Sequence, residues 1–238
     1  MKPEEVKIHH FDLNTSNSWF RELKNHVTLV QLRRQDIVVP NGYKLSDLVL
    51  AHQADIIRLA VLAQEGGIYL DTDVYILRPF KHLLTNPRDI LLGHEGGDRY
   101  GLCNAVILAR AGSEFISIWQ DSYKTFDEAK WAEHSVLMPK RLQVQHKDLI
   151  CPLSPPVFYW PFWESWNVQY MHDPIGADDI ALLQDNMDAW GGSMYESQLA
   201  YHSWGGHAYL RELTPDVVKE KDSRFNLLMR HIAQVPLG

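Results

Sequence analysis

Long apolar runs are missing from this chain. No stretch approaches the roughly 20 residues that a helix needs to cross a bilayer, and the N-terminus lacks an apolar signal core, so no membrane segment is read in it and a soluble chain is expected. Cysteine is scarce: Cys103 and Cys151 are the only two. Cys103 sits in an aliphatic run, where a buried free thiol is expected; one bridge stays open, and the redox compartment is undecided. Basic runs are absent, with 23 Lys and Arg against 30 Asp and Glu for a net charge of −7. That balance argues against a nucleic-acid partner and favours solubility. No internal repeat or low-complexity tail is visible. What is present suits one globular domain, since 238 residues that are 45% hydrophobic and 22% charged can bury a single sizeable core.

Strand and helix patterns alternate along the chain. Val6 to Phe11 reads as a strand, Ser18 to Lys24 as a short helix and Val27 to Leu32 as a second strand, followed by a linker through Pro40-Asn41-Gly42. Ile90 to Gly93 and the aliphatic run Cys103 to Ala109 are further strands. A helix capped by Ser113 follows, with Phe115, Ile118, Trp119 and Ser122 along one face. Alternation of this kind implies a layered α/β fold. From Cys151 the segment CPLSPPVFYWPFWESW is crowded with Pro and aromatics, and an ordered loop over the sheet is expected there.

Residues 51–80 are the most informative. Ile56, Leu59, Ala60 and Ala63 recur at helical spacing and must pack on something, while Asp55 and Arg58 share another edge. Gly66 and Gly67 supply the positive φ that ends a helix, and Ile68-Tyr69-Leu70 reads as a strand entering the core. Asp71 and Asp73 stand at its exit. In an extended segment they would face one side together, both carboxylates turned to one hard divalent cation, with Thr72 pointing away. With 18 Asp in the chain, roughly one Asp-x-Asp arises by chance, so the weight lies in the ordered context of helix, Gly-Gly, strand and acidic pair.

That context, HQADIIRLAVLAQEGGIYLDTDV, resembles the signature of the DXD-type sugar transferases. This is the glycosyltransferase family 32-like group around the yeast initiating α-mannosyltransferase, the α-galactosyl- and α-N-acetylglucosaminyl-transferases and the clostridial glucosylating toxins. Weaker similarity runs through GLCNAVILAR, WAEHSVLMP and AYHSWGGHAY to about Leu228. The resemblance implies a single domain of the GT-A type over 1–238, a Rossmann-like mixed sheet flanked by helices. Residues 1–110 would hold the nucleotide sugar and 111–238 the acceptor. Similar transferases open with a strand–helix unit ahead of the strand read at Val6 to Phe11; only five residues precede Val6 here, so that unit is expected either to be dispensable or to lie in a longer sequence of which this is a part.

The resemblance implies transfer of a hexose from a UDP- or GDP-sugar to a glycan or other hydroxyl acceptor, with retention and with Mn²⁺ or Mg²⁺ as cofactor. A diphosphate leaving group gathers negative charge, which a cation and cationic side chains offset. Asp73 is the expected direct metal ligand, with Asp71 beside it and His202, from Tyr201-His202-Ser203-Trp204-Gly205-Gly206, as a third metal or phosphate contact. Asp55, Arg58, Tyr69, Asp71, His202 and Trp204 are the implied donor-binding set, and Asn104 joins Asp71 and Asp73 at the reacting sugar. Glu95, His134 and Trp163 are candidates on the acceptor side. Each has a plainer reading: an i,i+3 ion pair for Asp55 and Arg58, a backbone-satisfied amide for Asn104, a tight turn at Glu95, packed imidazoles for His134 and His202. Six of the eight Trp lie at or beyond Trp131, where indoles suit either sugar faces or a core under an irregular loop. Two other functions compete: a haloacid-dehalogenase-like phosphatase with Asp71 as nucleophile, and a catalytically silent sugar or protein binder. Localisation is unassigned, a Golgi lumen following from the resemblance only if an anchor is missing and a cytoplasmic one otherwise.

Overall fold

The computed structural model describes residues 3–205 and 212–234. At its start β1 (Lys7–His10) and β2 (Thr28–Gln31) pair in parallel. The connection carries α1 (Ser18–Leu23), capped by the Asn17 side chain, which accepts from the Trp19 N–H. Three short 3₁₀ turns then lead to α2 (Leu50–Glu65), which buries Ile56, Leu59 and Leu62. β3 (Gly67–Leu70) follows, then β4 (Val74–Ile76), β5 (Ile90–Glu95) and β6 (Gly101–Ala109). After α3 (Glu114–Ser122) come a π-helical turn at Glu133–Leu137, α4 (Met138–Gln145) and β7 (Ile150–Leu153). The remainder is α5 (Ser165–His172), α6 (Ala177–Ala189), β8 (Ala200–His202), α7 (Pro215–Glu220) and α8 (Arg224–Gln234).

The central sheet is mixed, in the order β3-β6-β5-β7, with β6 antiparallel to both neighbours and β7 parallel to β5. Strand alternation sends Ile90 and Leu92 to one face and Leu91 to the other. On the first face they meet Leu59 and Leu62 of α2 and Phe115, Ile116 and Trp119 of α3. On the second, Leu91, Val106 and Leu108 meet Phe158, Tyr159 and Phe162. A third cluster gathers α5, α6 and α8 around Tyr201 of β8. The expected mixed sheet with flanking helices is therefore observed. No helix among the described residues is long and apolar enough to cross a membrane, and Cys103 and Cys151 are both free.

One local expectation changes, and two others gain detail. Asp71 and Asp73 converge through a turn, closed by the Val74 N–H on the Asp71 carbonyl at 3.1 Å, rather than through an extended segment. The expected ordered loop over the sheet is found between β7 and α5, where Phe158, Tyr159 and Phe162 pack on the second face of the sheet; Pro152 is tolerated because β7 is the edge of the sheet, where a missing N–H costs no ladder bond. The inward face of α3 holds the expected Phe115 and Trp119, with Ile118 partly buried against the same cluster, and adds Ile116, which is fully buried.

Candidate active site

The joint between α2 and β3 sets the position of the acidic pair. Gly66 has φ +65°, and a Cβ on it would stand 2.4 Å from the Ala111 backbone nitrogen, so the helix stops where only glycine fits. β3 then pairs with β6 as far as Leu70 opposite Val106, and the Asp71 N–H extends the ladder to the Ala105 carbonyl at 2.8 Å. On its other edge β6 is bulged: Leu92 pairs with Ile107 but Gly93 with Cys103. The bulge is stitched by Tyr159, whose hydroxyl accepts from the Val106 N–H at 2.9 Å and donates to the Cys103 carbonyl at 3.2 Å. Gly93 leaves room for that ring, since a Cβ there would meet it at 2.6 Å. Bulges re-aim side chains, and this one carries Asn104 over to α2.

Asn104 donates its amide to Asp55 at 2.7 Å, and its carbonyl accepts from Arg58 at 2.7 Å. Arg58 also pairs with Asp55 at 3.1 Å and with Asp71 at 3.2 Å. Its guanidinium lies 4.5 Å from the centre of the Tyr69 ring, and Tyr69 donates its hydroxyl to Asp71 at 2.6 Å. Burial pushes the Asp55 carboxyl up, against the pull of Arg58 and the Asn104 amide. Burial also works against the charge of Arg58, yet Asp55, Tyr69 and Asp71 hold its pKa above the ordinary value. Burial raises the Tyr69 phenol as well, so it stays a donor. A fixed cation is thus aimed from α2 at the Asp71 end of the turn.

Strand pairing brings the third group across the chain. β4 and β8 are antiparallel with Val74 opposite His202, and His202 Nε2 comes to 3.1 Å from Asp73 Oδ1. The Gly205 N–H donates to Asp73 Oδ2 at 2.7 Å. Burial alone would raise Asp73, but His202 and Gly205 hold it below its usual value. One ligand atom from each of Asp71, Asp73 and His202 lies within 4.8 Å of the others. Two carboxylates and an imidazole are a donor set that can hold a divalent cation. Trp204 tilts against His202 at 4.1 Å between ring centres, adopts φ +56° and donates its indole N–H to the Pro161 carbonyl. Gly206, and the rest of AYHSWGGHAY beyond Gly205, lie outside the described residues.

The remaining candidates divide. Glu95 is buried at the end of β5, where burial raises its carboxyl while the Cys103 thiol, His202 and the Trp163 indole act against that; it borders the His202 side of the site. His134 is buried against Tyr123 and Phe126, with Nε2 3.2 Å from the Thr125 hydroxyl. Among the tryptophans, Trp163, Trp131 and Trp166 are exposed and Trp204 is buried. Sequence reasoning missed Tyr159, whose hydroxyl holds the bulge from 53 residues away; nothing in its local pattern separates it from its aromatic neighbours. It also passed over His52, whose helical spacing from Asp55 and Arg58 was legible.

Residues 3–89 match the family model described as glycosyltransferase sugar-binding region containing DXD motif. Glucan organizing enzyme 1 of Cryptococcus neoformans var. grubii serotype A is 33% identical over 240 residues, 97% of this chain and 60% of that protein. Subversion of eukaryotic traffic protein A of Legionella pneumophila subsp. pneumophila is 39% identical over 70 residues, 29% of this chain and 11% of that protein. Among solved structures, the PaToxG glycosyltransferase aligns over 95% of this chain and 74% of its own, with 14% identity and a TM-score of 0.45. The chain therefore spans about three-fifths of one curated relative and about a tenth of the other. Residues 3–89, with Asp71-Thr72-Asp73 inside them, are a DXD-containing sugar-binding region of the glycosyltransferase type.

Proposed function

We propose that the chain is a metal-dependent glycosyltransferase of the GT-A type, moving a hexose from a nucleotide sugar to a hydroxyl acceptor with retention of configuration. The observation that carries this reading is the meeting of Asp71, Asp73 and His202 beside the buried cation of Arg58, with Arg58, Asp71 and Asp73 inside the segment that matches the family model and His202 brought to it by the β4–β8 pairing. Asp73, Asp71 and His202 would hold Mn²⁺ or Mg²⁺. When bound, that ion supplies positive charge where the leaving diphosphate becomes negative. Arg58 adds a fixed charge on the same side and is preorganised by Asp55, Asn104 and Tyr69, so little reorganisation accompanies reaction. Asp55 and Arg58 accept and donate to sugar hydroxyls, and Asn104 orients Asp55. Glu95 and Trp163 border the side where the acceptor enters. Retention rests on the resemblance. Glucan oligosaccharides are the first acceptors to try, given the name of the Cryptococcus relative.

A phosphatase with Asp71 as nucleophile is disfavoured, because Asp71 Oδ1 already accepts from Tyr69 and pairs with Arg58. The test is Asp73→Asn. The amide keeps an acceptor for the Gly205 N–H, so the fold should persist, while Mn²⁺-stimulated hydrolysis of UDP- or GDP-sugars falls about 100-fold or more. Undiminished metal-stimulated hydrolysis in a folded Asp73→Asn chain sinks the metal assignment. Phosphate release from an aryl phosphate, with no nucleotide diphosphate released from any sugar donor, sinks the transferase reading itself.

A further inference from the structure

α2 carries three polar side chains spaced three residues apart, His52, Asp55 and Arg58, and all three are buried. Arg58 lies at the Asp71 end; His52 is six residues away, about 9 Å along the helix axis. Asp55 and Arg58 are bonded on several sides. His52 is different: it is 2% exposed, and both of its ring nitrogens lack a hydrogen-bond partner among the described residues. Its neighbours are aromatic, Phe126 edge-on at 5.2 Å and Trp131 at 5.4 Å.

A second unsatisfied group stands beside it. The Tyr123 hydroxyl is buried with no partner among the described residues, its ring stacks on Phe126 at 5.6 Å, and it feels the charges of both Asp55 and Arg58. Of the four orphaned polar atoms around Phe126, three thus belong to His52 and Tyr123, which stand next to the Asp55 carboxylate, and the fourth is Nδ1 of His134. Stability does not explain them, since buried polar atoms without partners are costly and phenylalanine would fill either place with none. Sites that break a local rule without a stabilising gain are where function is expected. Trp131, 67% exposed, lies over His52 and offers a flat face of the kind that sugar rings stack on.

We infer that His52 and Tyr123 contact the donor hexose, at the edge of the ring furthest from the diphosphate, and that they select among hexoses. This rests on the proposed transferase activity and adds the feature that reads the sugar. Arg58 and Asp71 mark the diphosphate end, Asp55 comes next, and His52 lies one helical turn beyond. A neutral imidazole offers one N–H and one lone pair, and a phenol donates and accepts, so ring hydroxyls satisfy both. Epimeric hexoses differ in the direction of one hydroxyl. Polar atoms that only the right epimer completes reject the others, because the wrong sugar leaves them unpaired.

The experiment is calorimetric titration of the full chain in Mn²⁺ with UDP-glucose, UDP-galactose, UDP-N-acetylglucosamine and GDP-mannose, and with UDP and GDP alone. It is repeated on His52→Phe and Tyr123→Phe, which keep a ring and remove only polar atoms. The preferred nucleotide sugar should bind roughly 10-fold more weakly to each variant, with UDP or GDP affinity unchanged, discrimination among hexoses narrowed, and the melting temperature unchanged or raised. Unaltered sugar-nucleotide affinity in both variants overturns the inference and leaves the transferase reading standing. So does a parallel loss of affinity for the nucleotide diphosphate, or a His52→Phe chain that fails to fold, since either gives the imidazole a structural role. A native chain that binds none of these ligands overturns the transferase reading and this inference together.

Discussion

Arg58 serves several partners at once: Asp55, Asp71, the carbonyls of Ala54 and Asn104, and the face of Tyr69. An ion pair this buried is judged by what its loss leaves behind. Arg58→Ala would strand Asp55 as an uncompensated carboxylate, and removing one partner of such a pair costs about 3–5 kcal/mol. The pH dependence has a definite sign. Asp55 already has its folded pKa raised by burial, and without Arg58 it rises further. A carboxyl whose folded pKa exceeds its unfolded value favours folding while protonated and loses that contribution as pH rises through the folded pKa. The deficit of Arg58→Ala should therefore be largest near pH 7 and shrink as pH falls toward about 4. Urea unfolding at pH 7 and pH 5 reads this directly, and equal deficits at the two values would contradict it. Asp55 and Arg58 were legible as helix neighbours, because i,i+3 spacing is local. The Asn104 amide on Asp55 depends on a bulge held by Tyr159, a contact across about fifty residues that no local pattern carries.

At the scale of elements, the α2–β3 joint offers a paired comparison. Gly66 and Gly67 both have positive φ, at +65° and +103°, but only Gly66 is crowded, while a Cβ on Gly67 meets nothing within 4 Å. Gly67→Ala should cost about 1–3 kcal/mol, the backbone strain alone. Gly66→Ala should cost more, since Arg110 and Ala111 must also move, and that movement tilts β3 and the acidic turn behind it. Denaturant midpoints would show the order, and a Gly67→Ala variant less stable than Gly66→Ala would refute the steric account. This joint was readable because helix period, glycine pair and strand follow one another without interruption. The C-terminal helices were not. In α6 only Leu183 and Met187 are buried, too sparse a stripe to announce a helix, and α5 begins directly after an aromatic segment whose composition reads as loop.

Across the whole molecule the strands do not form one ladder. β1 and β2 make a separate parallel pair, and β3 is hydrogen-bonded to β6 alone among the described residues. The α2–β3 joint is tied to β1 through Glu65, which meets Lys7 at 2.7 Å and His9 at 3.2 Å, surface pairs of small weight. Legibility followed the same division. The strands and helices of the layered α/β fold came through local patterns and the mixed sheet through the family resemblance, whereas the pairing of β4 with β8, which sets His202 against Asp73 over 129 residues, is a tertiary fact that only the resemblance around His202 and Trp204 had suggested.

That pairing gives Asp73 two masters. Its Oδ1 faces His202 and its Oδ2 receives the Gly205 N–H, so the carboxylate expected to grip a cation also fastens the chain just past β8. Grip and fastening share one free energy, and each must alter the other by the same amount. With His202 as a further ligand, the ion replaces a single hydrogen bond by two coordinate bonds while Gly205 keeps its oxygen, so the coupling should be positive. Amide hydrogen exchange over residues 200–205 should then slow when Mg²⁺ is added, and faster exchange would show that the ion pulls Asp73 away from Gly205. On this footing the cation is also a rivet, joining a turn in the first third of the chain to a strand near its end, and chelation would loosen that strand along with the turn.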